Sequence, residues 1–479
     1  MKTTTRMQFG FWLALGALAL CLGQNTVAAE PSSPDLHLIQ KGEYLATAGD
    51  CMACHTAHGG KPFAGGLAVT TPIGNIISTN ITPSKTAGIG NYTLEQFTRA
   101  VRQGVRANGQ YLYPAMPYTS YAKTSDADIQ AMYAYFMHGV APVDTAGPKT
   151  SLPFPFNIRL AMAGWNFLFL DGKPYEPVAD KATLWNRGAY LVHGLAHCAV
   201  CHTPRNTLMA EDSSQFLGGA YVGPWYAPNI TSDVNSGIGG WTDAEIVEYL
   251  STGHTAKAQA SGPMMEAIDF SLRHLTKNDL LAIATYLKTV PALHDAADTK
   301  PVFGWGSASD KLSTVRGHPW PENQDVMTGP QLYDAHCATC HQAKAQGSFG
   351  GGLPALFHNT ATGRLQTNNL VLAILDGIHL PAQGNGVIMP GFRDVMSDTQ
   401  IATLGNYLMT AYGNPAGKVT TEQVAVLRSG APAEPDTGAR LLLAARAGLV
   451  IAGLIVLLIL YAIFRPRRPR ARLGSSSSR

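Results

Sequence analysis

The chain has 479 residues, 46% of them hydrophobic and only 14% charged, with a formal net charge of +3. That length fits about three domains of ordinary size plus an anchor rather than one large core. Lys2 and Arg6 near the start and seven arginines from Arg446 onward account for more than the whole excess, so residues 30–445 carry −6, which argues against nucleic acid as a partner.

At the N-terminus Lys2 and Arg6 precede an apolar run from Phe9 to Leu22, followed by small residues at Val27-Ala28-Ala29. Residues 1–29 read as a secretory signal peptide. An uncleaved membrane anchor is the competing reading, but the run is short for a span and the cleavage site is good. A lipid attached at Cys21 is disfavoured by Leu20, where such sites carry a small residue.

Three copies of one pattern follow: Cys51-Met-Ala-Cys54-His55, Cys198-Ala-Val-Cys201-His202 and Cys337-Ala-Thr-Cys340-His341. This is the attachment signal for c-type haem. Two thiols one helical turn apart can each bond a vinyl group of the same porphyrin, and the adjacent histidine then lies beneath the iron as its proximal ligand. A single Cys-x-x-Cys could be a redox dithiol or half of a zinc site. Three copies, each followed by histidine, are not: zinc would pair two and strand the third, and dithiol exchange has no use for the histidine. The chain has seven cysteines, and the one outside the motifs, Cys21, leaves with the signal, so no thiol remains for the disulfides usual in an exported protein. Three covalently bound haems are expected, with Cys51, Cys54, Cys198, Cys201, Cys337 and Cys340 as attachment points and His55, His202 and His341 on iron.

Internal repetition fixes the organisation. Gly42-Glu-Tyr44-Leu matches Gly188-Ala-Tyr190-Leu, Asn80-Ile-Thr matches Asn229-Ile-Thr, and Gly88-Ile-Gly90 matches Gly237-Ile-Gly239, at nearly constant offset. The first two units are duplicates. The third is a looser copy that starts near Gly329, has Tyr333 in the equivalent place and carries a glycine-rich loop from Gly347 to Gly352. The expected layout is domain 1 over 30–145, domain 2 over 178–295 and domain 3 over 326–428, joined by Pro/Gly-rich linkers at 146–177 and 296–325.

Each unit reads as a small helical domain with the motif at the end of its first helix. Each closes on an amphipathic helix, with apolar positions at Ile129, Met132, Tyr135 and Phe136; at Ile283, Tyr286 and Leu287; and at Ile401, Leu404, Tyr407 and Leu408. First and last helices should cross. Helix starts are expected near Asp126, Thr276 and Ser397. These stripes are core packing that holds the haem; no residue in them is assigned chemistry.

A methionine as sixth ligand would raise the reduction potential and close the iron to other ligands, which suits transfer over catalysis. Most of the 14 methionines are core filler. Met116, in Tyr113-Pro-Ala-Met-Pro-Tyr118, and Met389, in Val387-Ile-Met-Pro-Gly-Phe392, stand out because proline braces the segment. Domain 2 offers Met264 and Met265, which repeat spacing does not separate. Each histidine should donate its second ring N–H to a backbone carbonyl. Pro354 sits in a suitable loop for the third, although generic loop proline reads equally well. Arg205 could meet a haem propionate or be solvated.

Beyond a Pro/Ala/Gly-rich linker (429–446), residues 447–464 run apolar without a charge, and five arginines follow within 465–472 at the start of the tail 465–479. A transmembrane anchor with a basic cytoplasmic tail fits better than a buried core helix at such a position. With the signal, it places the bulk in the periplasm and the anchor in the bacterial inner membrane.

Gly88-Ile-Gly-Asn-Tyr92, the Met116 and Met264 segments, Trp185-Asn-Arg-Gly-Ala-Tyr190, Cys201-His-Thr-Pro-Arg205 and the closing anchor together resemble the three-haem cytochrome c subunits of acetic-acid-bacterial membrane dehydrogenases. The resemblance covers nearly the whole mature chain. It implies a mainly α fold of three tandem class I cytochrome c domains plus one C-terminal transmembrane helix, and it places the axial methionine of domain 2 at Met264. It also implies a catalytic partner subunit containing pyrroloquinoline quinone, molybdopterin or flavin, a small third subunit, and ubiquinone as acceptor. The alcohol dehydrogenase type is favoured, with aldehyde, gluconate, sorbitol and fructose types as near rivals. Two alternatives need no such partner: a haem peroxidase with one open iron, and an electron donor to a terminal oxidase. Methionine in every domain argues against the first.

Overall fold

The computed structural model describes residues 35–348, 353–379, 388–432 and 437–465; the expected signal peptide with Cys21, most of the glycine-rich loop and most of the basic tail lie outside them. In domain 1, α1 (Leu36–Ala48) stops at Gly49 because Asp50 turns into the left-handed region at φ 51°. The motif then starts its own short helix, α2 (Cys51–His55). The expected single helix ending in the motif is thus two, and the break swings the attachment cysteines off the axis of α1. The β1 (Ala68–Thr71) and β2 (Gly74–Ile77) hairpin follows, then α3 (Leu94–Gln103), α4 (Tyr118–Tyr121) and α5 (Asp126–Ala134). Thr93 and Gln96 close a capping box on α3, and the Ser125 hydroxyl accepts from the Asp128 N–H to start α5.

The linker contains α6 (Ala161–Phe169). Domain 2 repeats the plan with α7 (Thr183–His193), α8 (Ala199–His202), the β3 (Ala220–Val222) and β4 (Trp225–Ala227) hairpin, and α9 (Asp243–Thr252). The two-residue strands β5 (His254–Thr255) and β6 (Ala258–Gln259), α10 (Pro263–Phe270) and α11 (Lys277–Leu287) complete it. Domain 3 has α12 (Gly329–His336), α13 (Ala338–His341), α14 (Thr360–Gly363), α15 (Asn368–Asp376), the short β7 (Ile378–His379) and β8 (Ile388–Met389), α16 (Asp398–Tyr412) and α17 (Thr421–Arg428). The mainly α expectation holds, with four small two-stranded antiparallel sheets added among the described residues.

First and last helices cross as expected. In domain 1 a Cβ on Gly42 would lie 1.9 Å from the Ala131 carbonyl oxygen, and in domain 2 one on Gly188 would lie 1.9 Å from that of Ala282. The repeated glycine is therefore the contact point that lets α1 ride on α5 and α7 on α11. The closing stripes are buried as expected, with Ile129, Ile283 and Ile401 each at most 1% exposed.

Domains 1 and 2 share one continuous hydrophobic core, and domain 3 has its own. Their junction is reciprocal. The Tyr44 hydroxyl donates to Asp279 at 2.6 Å and accepts from the Thr276 N–H; the Tyr190 hydroxyl donates to Asp128 at 2.6 Å and accepts from the Ser125 N–H. Each aspartate also holds a cation of its own domain, Arg187 on Asp279 and Lys41 on Asp128. The two repeats thus meet as the halves of an isologous dimer would.

The linkers are packed rather than loose. Thr150 pairs with the backbone of Ile77, and in the second linker Val302 and Leu312 are fully buried, Leu312 in the core of domain 3. Proline and glycine marked the turns correctly, but the apolar residues between them find partners. At the C-terminus the apolar helix α18 runs over Thr437–Phe464, 28 residues, or about 42 Å at the α-helical rise. It begins ten residues before the expected span at 447, taking up Arg440 and Arg446, and it is long and apolar enough to cross a membrane.

Candidate cofactor sites

The three motifs fold alike. Each histidine ends a short helix, with its Nδ1 against one backbone carbonyl: His55 on Thr79 at 2.6 Å, His202 on Pro228 at 2.6 Å and His341 on Pro354 at 2.9 Å. The last is the contact expected of Pro354. With Nδ1 donating, Nε2 is the nitrogen left to bind a metal, and the ring plane is fixed.

The sequence hid how those carbonyls are held. Thr79 and Pro228 immediately precede the repeated Asn-Ile-Thr, which served only as a repeat marker. The Asn80 Oδ1 accepts from both the N–H and the hydroxyl of Thr82, while its Nδ2 donates to Val143. Asn229 does the same with Thr231 and Leu293. Each asparagine therefore buckles the carbonyl strand to the segment leaving the last helix of its domain.

A second device recurs in all three sites. The histidine carbonyl accepts from the N–H of a left-handed glycine: Gly65 (φ 72°) for His55, Gly219 (φ 98°) for His202 and Gly347 (φ 67°) for His341. A Cβ there would press on the carbonyl strand itself, 2.4 Å from the Thr79 carbonyl carbon in domain 1 and 2.1 Å from the Leu353 oxygen in domain 3. Glycine is required both for the backbone angle and for the close approach. The three lie ten, seventeen and six residues after their histidines, so no fixed spacing betrayed them.

The electrostatics suit ligation rather than thiol exchange. Burial pushes the Cys51, Cys198 and Cys337 thiols up to about 12, opposite to the lowered pKa that a redox dithiol needs. Burial holds the imidazoles neutral, and His202 falls to about 4, driven first by burial and then by the Arg364 cation against the opposing Pro228 bond. All six motif cysteines are free of disulfides. Paired free thiols, a neutral histidine with Nδ1 engaged and a fixed ring form the donor set a covalent haem requires, and the residues fit the group.

The methionines fall in three settings. Met116 lies in a tight turn, its N–H bonded to the Tyr113 carbonyl, and the Tyr113 hydroxyl donates to Phe156 at 2.6 Å. Met264 and Met265 open α10, and both pack against the shared core. That helix also packs on α2, so domain 2's methionine segment meets domain 1's motif. Met389 ends β8, opposite Ile378. Arg205 donates to the Val200 carbonyl and faces Glu211 at 3.6 Å, bracing the loop after the second motif.

The turns leading into the first two motifs are in contact. The Tyr121 hydroxyl donates to Gly49 at 2.6 Å, its ring lies 5.7 Å from that of His197, and Ser271 reaches the Ala48 carbonyl. Domain 3 joins domain 2 through Asn369, which bonds the backbone of Tyr226 twice at 2.8 Å, and through the buried Arg364, which reaches the Ser236 carbonyl.

The family model described as "Cytochrome c" matches residues 186–291 and 326–411, and that of "Cytochrome C oxidase, cbb3-type, subunit III" matches 37–136. The chain is 42% identical to the fructose dehydrogenase cytochrome subunit of Gluconobacter japonicus, over 96% of this chain and 98% of the other. It is 41% identical to the gluconate 2-dehydrogenase cytochrome c subunit of Pantoea cypripedii (86% and 94% covered). It is 36% identical to the cytochrome c subunit of the quinone alcohol dehydrogenase of Gluconobacter oxydans (90% of each).

Proposed function

The chain belongs to the family of cytochrome c subunits of quinone-dependent dehydrogenases, and from that membership we propose that it passes electrons from a catalytic partner through three covalently held haems to ubiquinone. Haem iron supplies a reversible one-electron couple. Everything else is the protein's: the thiols tether, the histidines bind through Nε2, and the Thr79, Pro228 and Pro354 carbonyls draw on the Nδ1 protons. That pull makes each imidazole a stronger donor and favours the oxidised metal. Met116, Met264 and Met389 are the sixth ligands in this reading.

The observation that carries the proposal is the threefold recurrence of one arrangement, Cys-x-x-Cys-His with its histidine on a carbonyl held beside a left-handed glycine. Three sites built on one plan, each with its histidine ring fixed by a backbone carbonyl, suit relay. The motifs lean to an alcohol dehydrogenase, whereas the fructose and gluconate relatives match at 42% and 41% against 36%. Such a spread is expected of a carrier that never touches substrate, so the partner is proposed by class: a dehydrogenase holding pyrroloquinoline quinone, molybdopterin or flavin, with a small third subunit. The α18 helix anchors the complex in the inner membrane with the three domains on the periplasmic side.

Mass measurement of the mature chain, together with its spectrum, tests this. Three added haems, methionine-to-iron charge-transfer absorption from each and a co-purifying dehydrogenase that reduces them on addition of its substrate are expected. Fewer than three haems, or high-spin iron with peroxide turnover, would overturn it.

A further inference from the structure

The α6 helix is apolar on both faces. Its inner side carries Met162, Trp165, Asn166 and Phe169. Asn166 accepts from the Tyr118 hydroxyl at 2.8 Å and donates to the Gln103 carbonyl, and the Trp165 indole donates to Leu208. Its outer side, from Leu160 through Gly164 to Phe167 and Leu168, is spaced as one helical stripe and holds no charged or polar residue. Yet that side is open: Leu160 is 72%, Phe167 89% and Leu168 63% exposed, and Phe154 just upstream is 66% exposed. The flanking charges are turned away, Arg159 over the Tyr113 ring and onto the Tyr111 carbonyl, and Asp171 onto Lys123. A helix that is hydrophobic all round normally lies inside a core or a bilayer, and a contiguous apolar patch of this kind marks a contact surface.

The neighbourhood indicates what covers it. The chain approaches α6 along the β1–β2 hairpin, with Thr150 on Ile77 and the Leu152 side chain 3.0 Å from where a Cβ of Gly74 would be. The other side of that hairpin turn meets the start of the membrane helix, where a Cβ on Gly438 would stand 2.7 Å from the Pro72 carbonyl oxygen. One hairpin thus borders both the root of α18 and the strand leading into the open apolar face. We propose that α6 is a second membrane contact, lying in the lipid surface with Leu160, Phe167 and Leu168 among the acyl chains, and that it sets the orientation of domain 1 over the bilayer. Aromatic and aliphatic residues on a short in-plane helix have the composition that enters the headgroup boundary. This rests on the reading of α18 as a membrane span.

With haem occupying the six motif thiols, Phe167→Cys creates a lone reactive site on an exposed position. The full complex carrying this variant, labelled with a benzophenone maleimide and reconstituted in phosphatidylethanolamine/phosphatidylglycerol vesicles, is illuminated and its adducts are identified by mass. Leu457→Cys in α18 and Glu248→Cys, an exposed position on α9, are handled alike. The expected result is phospholipid adducts at Phe167 and at Leu457 and none at Glu248. Adducts from Phe167 to another protein chain, or none with lipid while Leu457 labels, would overturn the proposal and leave the span standing. Failure at Leu457 as well would bring down the span and this inference together.

Discussion

The ligand histidine is only as well placed as the carbonyl it leans on. In domain 2 that carbonyl depends on Asn229, which is 5% exposed and makes bonds in three directions. Asn229→Ala should cost about 2–4 kcal/mol, the order expected when a few buried groups lose their partners, seen as a lower urea midpoint. It should also raise the potential of the second haem by weakening the pull on His202. Gly219→Ala should be worse, because a Cβ there meets the Asn229 nitrogen at 2.8 Å at a φ of 98°; much of the protein should lack the second haem by mass. Arg364, contributed by domain 3 and 8% exposed, brings a cation toward His202. Arg364→Gln should lower the second potential, since a lost positive charge favours the oxidised iron, and redox titration reads it directly. The chemistry of Cys and His could be read from composition and order because covalent attachment demands fixed neighbours, whereas for Pro354 a generic loop proline read equally well. Asn80, Asn229 and the three glycines could not, since loops of unequal length carry them to the site and only folding shows that they converge.

The helices meet through a few polar knots rather than through apolar area alone. Burial disfavours the charged form of Asp279, but bonds from Arg187 and Tyr44 outweigh it and hold the carboxyl below its ordinary 3.8. A carboxyl lowered in the folded state adds stability in full above the unfolded value of about 4, and that contribution drains away as pH falls through the folded value. Melts in acid below about pH 4 should therefore show the α7–α11 contact weakening. Asp279→Asn should remove that acid dependence and cost about 3 kcal/mol at neutral pH by stranding Arg187. Because the junction is reciprocal, Tyr44→Phe and Tyr190→Phe should each cost about 1 kcal/mol, and equal losses in paired melts would support the symmetry. Helix starts were visible near Asp126, Thr276 and Ser397, and the structure places the caps on Ser125, Thr276 and Ser397. The split of α1 from α2 was not, because it depends on one left-handed aspartate that nothing in its neighbours announces.

The separate cores predict how the chain comes apart. Denaturant should unfold domains 1 and 2 in one transition and domain 3 in another, with Asp279→Asn moving only the first; a single coincident transition at haem and tryptophan probes would contradict this. Repeat spacing revealed three units, but it could not reveal that two of them had merged, since shared burial leaves no mark on spacing. That merger bears on speed. Between the first two irons an electron would meet no hinge: the Tyr121 ring on His197 and Ser271 on Ala48 bolt the facing turns together, so the gap is set by solid packing rather than by a swinging tether. Nicking the connection near Gly172, where the backbone is exposed, should then leave that hop as fast as before.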